Sequence, residues 1–128
     1  MDNQQFSQGL KTRTEVMGRT FVERAVQNTT DFNAPLQEWI NEHAWGSVWQ
    51  REDLPRQTRS LITIAMLTAL KCTTELKGHV RGALNNGCSV AEIREVLLHS
   101  AVYCGVPATQ EAFRAAQEVI QEWQAQQP

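Results

Sequence analysis

The sequence lacks an excess of charge of either sign. Its 128 residues carry 12 Lys and Arg against 14 Asp and Glu, which gives a formal net charge of -2. Nucleic-acid-binding domains and polybasic membrane-binding segments concentrate positive charge, so we expect no nucleic-acid partner and no membrane partner. The longest apolar stretch, residues 61–70, is interrupted by threonines and is too short to span a bilayer.

Cysteine is scarce, and its pattern excludes two common uses. The three cysteines, Cys72, Cys88 and Cys104, form no C-x-x-C pair. An odd number of cysteines without C-x-x-C spacing matches neither a disulfide framework nor a zinc site. The chain also opens without the charged and apolar regions of a secretion signal, so we expect a reduced, soluble, cytoplasmic protein. Its length predicts a single domain over residues 1–128.

Strand signals are nearly absent, whereas helical spacing of apolar residues runs through the chain. The spacing predicts six or seven helices, over about residues 10–16, 21–26, 34–45, 55–71, 73–86, 89–104 and 108–123. Asp31 or Asn33 is expected to cap the third of them, Gly87 to end the fifth, and Ser89 with Glu92 to form a capping box. The sequence therefore predicts an all-α fold.

The helix over residues 73–86 carries the most informative group of side chains. Six residues share one face of it at 100° per residue: Cys72, Glu75, Leu76, His79, Ala83 and Asn86. A carboxylate and an imidazole four residues apart are within contact distance, and the carboxylate tunes the histidine near neutral pH. We expect Glu75 and His79 to lie on the buried face. Two interpretations stay open, a self-satisfied structural pair and a proton-transfer pair.

Two aromatic groups also have both a structural and a functional interpretation. His99 and Tyr103 flank the apolar stripe of their helix, where they can pack at the rim of the core or donate hydrogen bonds. Trp39, Trp45 and Trp49 are typical of a core or a subunit interface, and also of an apolar wall in a binding site.

A basic cluster begins the apolar helix at residue 55. Arg56 and Arg59, next to Ser60, oppose the helix dipole at that end, so they either bind an anion or pair with surface acids. No metal or cofactor motif accompanies these candidates. Glu75 and His79 supply only two ligands, and H-E-x-x-H, G-x-S-x-G, P-loop and dinucleotide patterns are all missing. We therefore expect no metal and no cofactor.

Four blocks of the sequence resemble the carboxymuconolactone decarboxylase family. They are GLKTRTEVMG, TDFNAPLQEWINEHAWGSVW, DLPRQTRSLITIAMLTAL and ELKGHVRGALNNGCSVAEIREVLLHSAVYCGVPA, and they cover about residues 9–122. The upstream blocks are most similar to members that act on 4-carboxymuconolactone. The resemblance implies a compact all-α subunit of the alkylhydroperoxidase D-like type in a homo-oligomer, commonly a hexamer. It also implies decarboxylation of this small lactone carboxylate to 3-oxoadipate enol-lactone, in the β-ketoadipate (protocatechuate) branch of aromatic catabolism.

The resemblance also assigns candidate site residues. Related alkylhydroperoxidase D-like enzymes carry C-x-x-C-x-x-x-H on the corresponding helix, and this chain has Cys72, Glu75 and His79 in that register. A peroxidase cycle needs a dithiol, which Glu75 removes. The resemblance therefore implies that Glu75 and His79 are catalytic, and the candidate substrate-binding residues are Arg59, Trp45, His99 and Tyr103. A thiol antioxidant protein and a non-catalytic helical oligomer remain as alternatives.

Overall fold

The computed structural model describes residues 3–128, and every regular element in that part of the chain is helical. The seven α-helices are α1 (Asn3–Met17), α2 (Arg19–Gln27), α3 (Ala34–Trp39), α4 (Arg56–Leu70), α5 (Thr73–Asn85), α6 (Val90–Cys104) and α7 (Val106–Ala125). The prediction of an all-α fold is confirmed. No helix in residues 3–128 is long and apolar enough to cross a membrane. The chain divides into two compact units, one ending at Arg56 and one beginning at Gln57.

The first unit contains a helix type that the sequence did not indicate. α3 runs directly into a π-helix (Ile40–Trp45), and a short 3-10 helix (Val48–Gln50) follows. The predicted helical span of residues 34–45 is correct, but its second half has the wider π turn. Asn33 occupies the N-cap position of α3, but its side chain does not form the predicted capping hydrogen bond. The side chain accepts instead from the Thr30 N–H at 2.7 Å.

Two glycines let α1 pass very close to the π-helix. A Cβ atom on Gly9 would overlap the carbonyl oxygen of Asn41, and one on Gly46 would overlap the carbonyl oxygen of Gln5. Glycine lacks the Cβ that would block this approach. The contact is completed by a small core in which Trp45 packs with other apolar residues of the same unit: Val16, Met17, Ile40, Ala44 and Trp49.

The second unit is built around α5, α6 and α7, because α7 packs against both of the other helices. Its core consists of small and branched apolar side chains: Ile64, Leu76, Val80, Ala83, Leu84, Cys88, Ile93, Leu97, Ala112, Ala115, Ala116 and Val119. Gly87 has a φ of 90°, as its predicted place after α5 requires. The capping box of Ser89 and Glu92 is present, with hydrogen bonds of 2.8 and 3.0 Å.

The ends of α4 and α6 differ in detail from the sequence prediction. Lys71, with a φ of 59°, ends α4 in a left-handed turn that leads straight into α5. Gly105, with a φ of 91°, separates α6 from α7, and α7 begins at residue 106 rather than 108 because Pro107 lies in its first turn.

Candidate active site

Glu75 and His79 lie on consecutive turns of α5, at the edge of its buried face. Glu75 is exposed and His79 is half-buried, with its Nδ1 atom enclosed by protein. The expectation that both lie within the core stripe is therefore wrong. The buried face of α5 is centred on Leu76, Val80 and Ala83, which places Glu75 about 100° and His79 about 60° away from Leu76 around the helix. Glu75 therefore reaches water, whereas His79, one turn further along α5, is partly enclosed.

The far end of α5 is joined to the start of α4 by polar contacts. Asn86 donates from its side-chain amide to the Ser60 hydroxyl at 2.8 Å, and Ser60 is fully buried. Asn86 lies on the same edge of α5 as His79, two turns further along, or roughly 10 Å. The sequence placed Asn86 on this face but gave no sign of its partner, because Ser60 comes from a different helix.

Arg59 precedes Ser60 in α4 and is half-buried, and its Nε atom is enclosed by protein. A partly enclosed guanidinium retains a strong field toward a carboxylate. The Nη1 atom of Arg56 pairs with the Glu15 carboxylate at 2.9 Å. The surface-pair interpretation is therefore confirmed for Arg56, and the binding of an anion by Arg59 stays a prediction.

The basic residues of α5 face α7, away from Glu75 and His79. Lys77 pairs with Glu118 at 2.8 Å, and Arg81 with Glu122 at 3.4 Å. These ion pairs place the basic residues of α5 on the side that faces α7. Lys77 and Arg81, the two positive charges on the side of α5 opposite the candidate site, therefore have a structural role.

His99 and Tyr103 lie on consecutive turns of α6, and both are exposed. Their ring centroids are 5.1 Å apart at 45°. The prediction that they flank the apolar stripe is confirmed, since the buried residues of α6 are Ile93, Leu97 and Ser100. Whether they contact a substrate stays a prediction.

The tryptophans Trp39, Trp45 and Trp49 all lie in the first unit. Trp45 is buried and stacks on Trp49, with centroids 4.6 Å apart. Trp39 is exposed beside His43, with centroids 5.1 Å apart. The structure thus gives Trp45 a core role within its own unit, and its predicted role at the substrate stays a prediction.

All three cysteines are free thiols. Cys72 occupies the N-cap position of α5 and is half-buried, Cys88 is buried, and Cys104 is exposed. Burial, followed by the charge of Glu92, raises the pKa of the Cys88 thiol. Residues 3–128 contain no group of three or more His, Cys, Asp or Glu side chains that could hold a metal ion.

The family model for carboxymuconolactone decarboxylases matches residues 34–118. The chain belongs to the carboxymuconolactone decarboxylase family. The matched range contains every candidate residue of both units, from Trp45 and Arg59 to Tyr103.

Three relatives each match two thirds or more of this chain. A 4-carboxymuconolactone decarboxylase of Acinetobacter baylyi is 46% identical over 121 residues, which cover 94% of this chain and 90% of that protein. A nitrosuccinic acid decarboxylase of Metarhizium robertsii is 49% identical over 115 residues, which cover 90% of this chain and 80% of that protein. An uncharacterized 15.0 kDa protein of Paracoccus denitrificans is 36% identical over 89 residues, covering 68% of this chain and 63% of that protein.

Proposed function

We propose that this protein is a carboxy-lyase that converts 4-carboxymuconolactone to 3-oxoadipate enol-lactone without a cofactor. The observation that carries the proposal is the 46% identity to a 4-carboxymuconolactone decarboxylase across 94% of the chain. The half-buried His79 beside Glu75 on α5 supports it, because the reaction needs a proton donor.

The substrate itself can accept the electrons that decarboxylation releases. The departing carboxylate is attached to the γ-carbon of an unsaturated lactone. When the bond between the two carbons breaks, the electron pair moves through the ring double bond onto the lactone carbonyl oxygen, giving carbon dioxide and a dienolate. A proton added at the carbon next to the carbonyl then yields the enol-lactone. The protein therefore has to bind carboxylates, stabilise an enolate oxygen and deliver one proton.

The candidate residues match these three tasks. Protonated His79 donates a hydrogen bond to the enolate oxygen and then the proton, a contribution of typically about 10²- to 10⁴-fold. The carboxylate of Glu75, one turn away, favours the charged imidazolium. Arg59 binds a substrate carboxylate through its planar fork. His99 or Tyr103 supplies a further hydrogen bond.

A second candidate substrate is nitrosuccinate, because the chain is 49% identical to a nitrosuccinic acid decarboxylase. Nitrosuccinate is also a dicarboxylate with a built-in electron sink, since a nitro group accepts the electron pair as a nitronate. The same proton donor and the same carboxylate-binding arginine serve both reactions. The two candidates thus differ in the shape that the site accepts rather than in the type of catalysis.

The assembly and location of the protein form part of the proposal. Several large apolar side chains of the second unit are exposed in the single chain: Met66, Leu70, Leu98, Val102, Tyr103 and Val106. A homo-oligomer with closed symmetry would cover such faces, and the resemblance to the family favours a hexamer. A cytoplasmic location is supported by the three free thiols.

The deciding experiment compares kcat/KM for 4-carboxymuconolactone and nitrosuccinate, using protein dialysed exhaustively against a chelator. We expect carbon dioxide release from the lactone to be the faster reaction and to survive dialysis. In heavy water, one deuterium should enter the ring carbon beside the lactone carbonyl. A preference for nitrosuccinate would change the substrate to the second candidate, and a strict need for a divalent metal would contradict the mechanism.

The same preparation tests the remaining alternatives. Hydroperoxide reduction by the chelator-treated protein would indicate a thiol antioxidant function, and absence of turnover with all three substrates would indicate a non-catalytic oligomer. We expect no peroxidase turnover, because Glu75 stands where a resolving thiol would be needed.

A further inference from the structure

Arg13, in α1, is the one buried charged residue among those that the structure describes, with 8% of its surface exposed. Its Nη1 atom donates to Gln37 Oε1 and to Asn41 Oδ1, each at 3.1 Å. Its guanidinium carbon lies 5.8 Å from the centre of the Phe21 ring. No carboxylate in residues 3–128 forms an ion pair with it, and its Nε atom is buried without a hydrogen-bond partner in that part of the chain.

This environment is unfavourable for a cation. The two amide oxygens are neutral, so they orient the guanidinium without cancelling its charge. Burial lowers the pKa of Arg13, because the charged form loses its hydration. Paired cations of the chain, such as Lys77 with Glu118, have a carboxylate at 2.8 Å and remain more exposed. A buried charge without a counterion is costly unless something else supplies the opposite charge.

Arg13 lines a pocket of about 410 Å³ that is formed entirely by the first unit. Its lining combines apolar side chains, among them Phe6, Leu10 and Val26, with the polar side chains of Arg13, Gln37 and Asn41. Ligand pockets of small molecules have this character, with a mostly apolar lining and a few fixed polar groups. Its volume suits a compact molecule.

The polar residues that line the pocket also limit how much negative charge a ligand can carry. Gln37 and Asn41 accept hydrogen bonds from the Nη1 atom of Arg13. A carboxylate would therefore bind at the Nε atom, which has no hydrogen-bond partner in residues 3–128, once a rotation of the side chain uncovers it. The exposed Glu38 carboxylate lines the same pocket and repels a second negative charge.

We propose that Arg13 anchors a binding site for a small monocarboxylate with an apolar body. The carboxylate would neutralise the buried guanidinium, and the apolar body would pack against lining residues such as Phe6, Leu10 and Val26. This proposal does not rest on the proposed decarboxylation, since the substrate of that reaction carries two carboxylates and binding is measurable without turnover.

Calorimetric titration of the full chain with benzoate, benzamide and adipate tests the proposal. We expect benzoate to bind at least about 10-fold more tightly than neutral benzamide, because hydrogen bonds to a charged group are the stronger ones. Adipate, with a second carboxylate, should bind more weakly than benzoate. Glu38→Gln should reduce the difference in affinity between the two ligands. Equal binding of benzoate and benzamide, or no benzoate binding at millimolar concentration, would overturn the proposal.

Variants identify the anchoring arginine. Arg13→Met retains the apolar bulk and should weaken benzoate binding at least about 10-fold. Arg19→Met, which removes an exposed arginine paired with Glu23 at 3.3 Å, should leave benzoate binding unchanged. Binding lost in Arg19→Met but kept in Arg13→Met would contradict the assignment. If Arg13→Met does not fold, the Glu38→Gln comparison decides the question.

A carboxylate from a second copy of the chain is the other possible source of the charge. In that case benzoate could bind only when two copies of the chain separate. Its apparent affinity would therefore fall as the protein concentration rises. That outcome would overturn the proposal of a small-molecule ligand. We expect an affinity that does not depend on protein concentration.

Discussion

At the scale of single residues, His79 is the side chain on which the proposed reaction depends most. His79→Ala should lower kcat by about 10²-fold or more while the helical circular dichroism is retained, because the proton donor is lost. Glu75→Gln keeps the shape but removes the negative charge, so it should lower kcat less and move the alkaline limb of the pH–rate profile to lower pH. The double variant should be little worse than His79→Ala, since groups that act together are not additive.

His43→Ala is the matched control, because His43 is an exposed histidine beside Trp39 in the other unit. It should leave kcat unchanged. Near-normal turnover in His79→Ala, or losses that simply multiply in the double variant, would show that Glu75 and His79 are not the catalytic pair. His99 with Tyr103 would then be the next pair to test.

Cys72 tests whether sulfur chemistry contributes. Its Sγ atom lies 3.7 Å from the Leu70 carbonyl oxygen, at the start of α5. Cys72→Ser should keep most of the decarboxylase turnover and change the free energy of unfolding by no more than about 1 kcal/mol. Steady-state kinetics with urea unfolding gives both quantities, and a folded variant with no turnover would move the active site to the thiol.

Cys88 should be the slowest of the three thiols to react. Its burial, followed by the charge of Glu92, raises its pKa, so less thiolate is present at neutral pH. Iodoacetamide labelling followed by mass spectrometry should show Cys104 modified well before Cys88 in the native protein, and equal rates in urea. Glu92→Gln preserves the capping box and should speed the labelling of Cys88. Equal native rates for Cys88 and Cys104 would contradict this prediction.

The residue types of the candidate site were predictable from the sequence, but the solvent exposure of Glu75 was not. Helical spacing placed Glu75 and His79 one turn apart on the same helix, as the structure has them. It could not show that the centre of the buried face lies at Leu76 and Val80, since that depends on how α7 packs against α5. The charges of Lys77 and Arg81 gave the only hint of that rotation. The burial of Arg13 was not predictable, because nothing in the sequence shows that an arginine lacks a counterion.

At the scale of helices, the crossing of α1 over the π-helix is the most demanding contact of the first unit. Gly9→Ala puts a methyl group onto the Asn41 carbonyl, so the helices must move apart. We expect a loss of about 1–3 kcal/mol in unfolding free energy, typical of overpacking. Urea unfolding measures it, with Ser7→Ala on the exposed side of α1 as the control. An unchanged midpoint for Gly9→Ala would show that the contact is not tight in solution.

Helix boundaries were predictable wherever a local signal marks them. Gly87 and the pair of Ser89 with Glu92 do so through their own backbone chemistry. The π-helix was not predictable, because its apolar spacing of three and four is also that of an α-helix. The Gly9 crossing likewise depends on a partner more than 30 residues away in the chain.

At the scale of the whole molecule, the exposed apolar side chains of the second unit predict assembly. Leu70 and Val102 are 70% and 75% exposed in the single chain. Light scattering at micromolar concentration should therefore give a mass several times the 14.5 kDa of one chain. Leu70→Lys and Val102→Lys should lower that mass, and Gln117→Lys, at an exposed polar position of α7, should not. A monomer in the unmodified protein would contradict the prediction.

The stacked indoles of Trp45 and Trp49 give the first unit an optical signature of its own. Two such rings with centroids 4.6 Å apart and planes at 28° couple their electronic transitions, which produces a paired circular-dichroism band of opposite signs. The fourth tryptophan of the sequence, Trp123, lies in the other unit and outside this pair. Loss of the paired band during heating or titration would therefore report unfolding around Trp45 separately from the helical signal of the whole chain, without any added label.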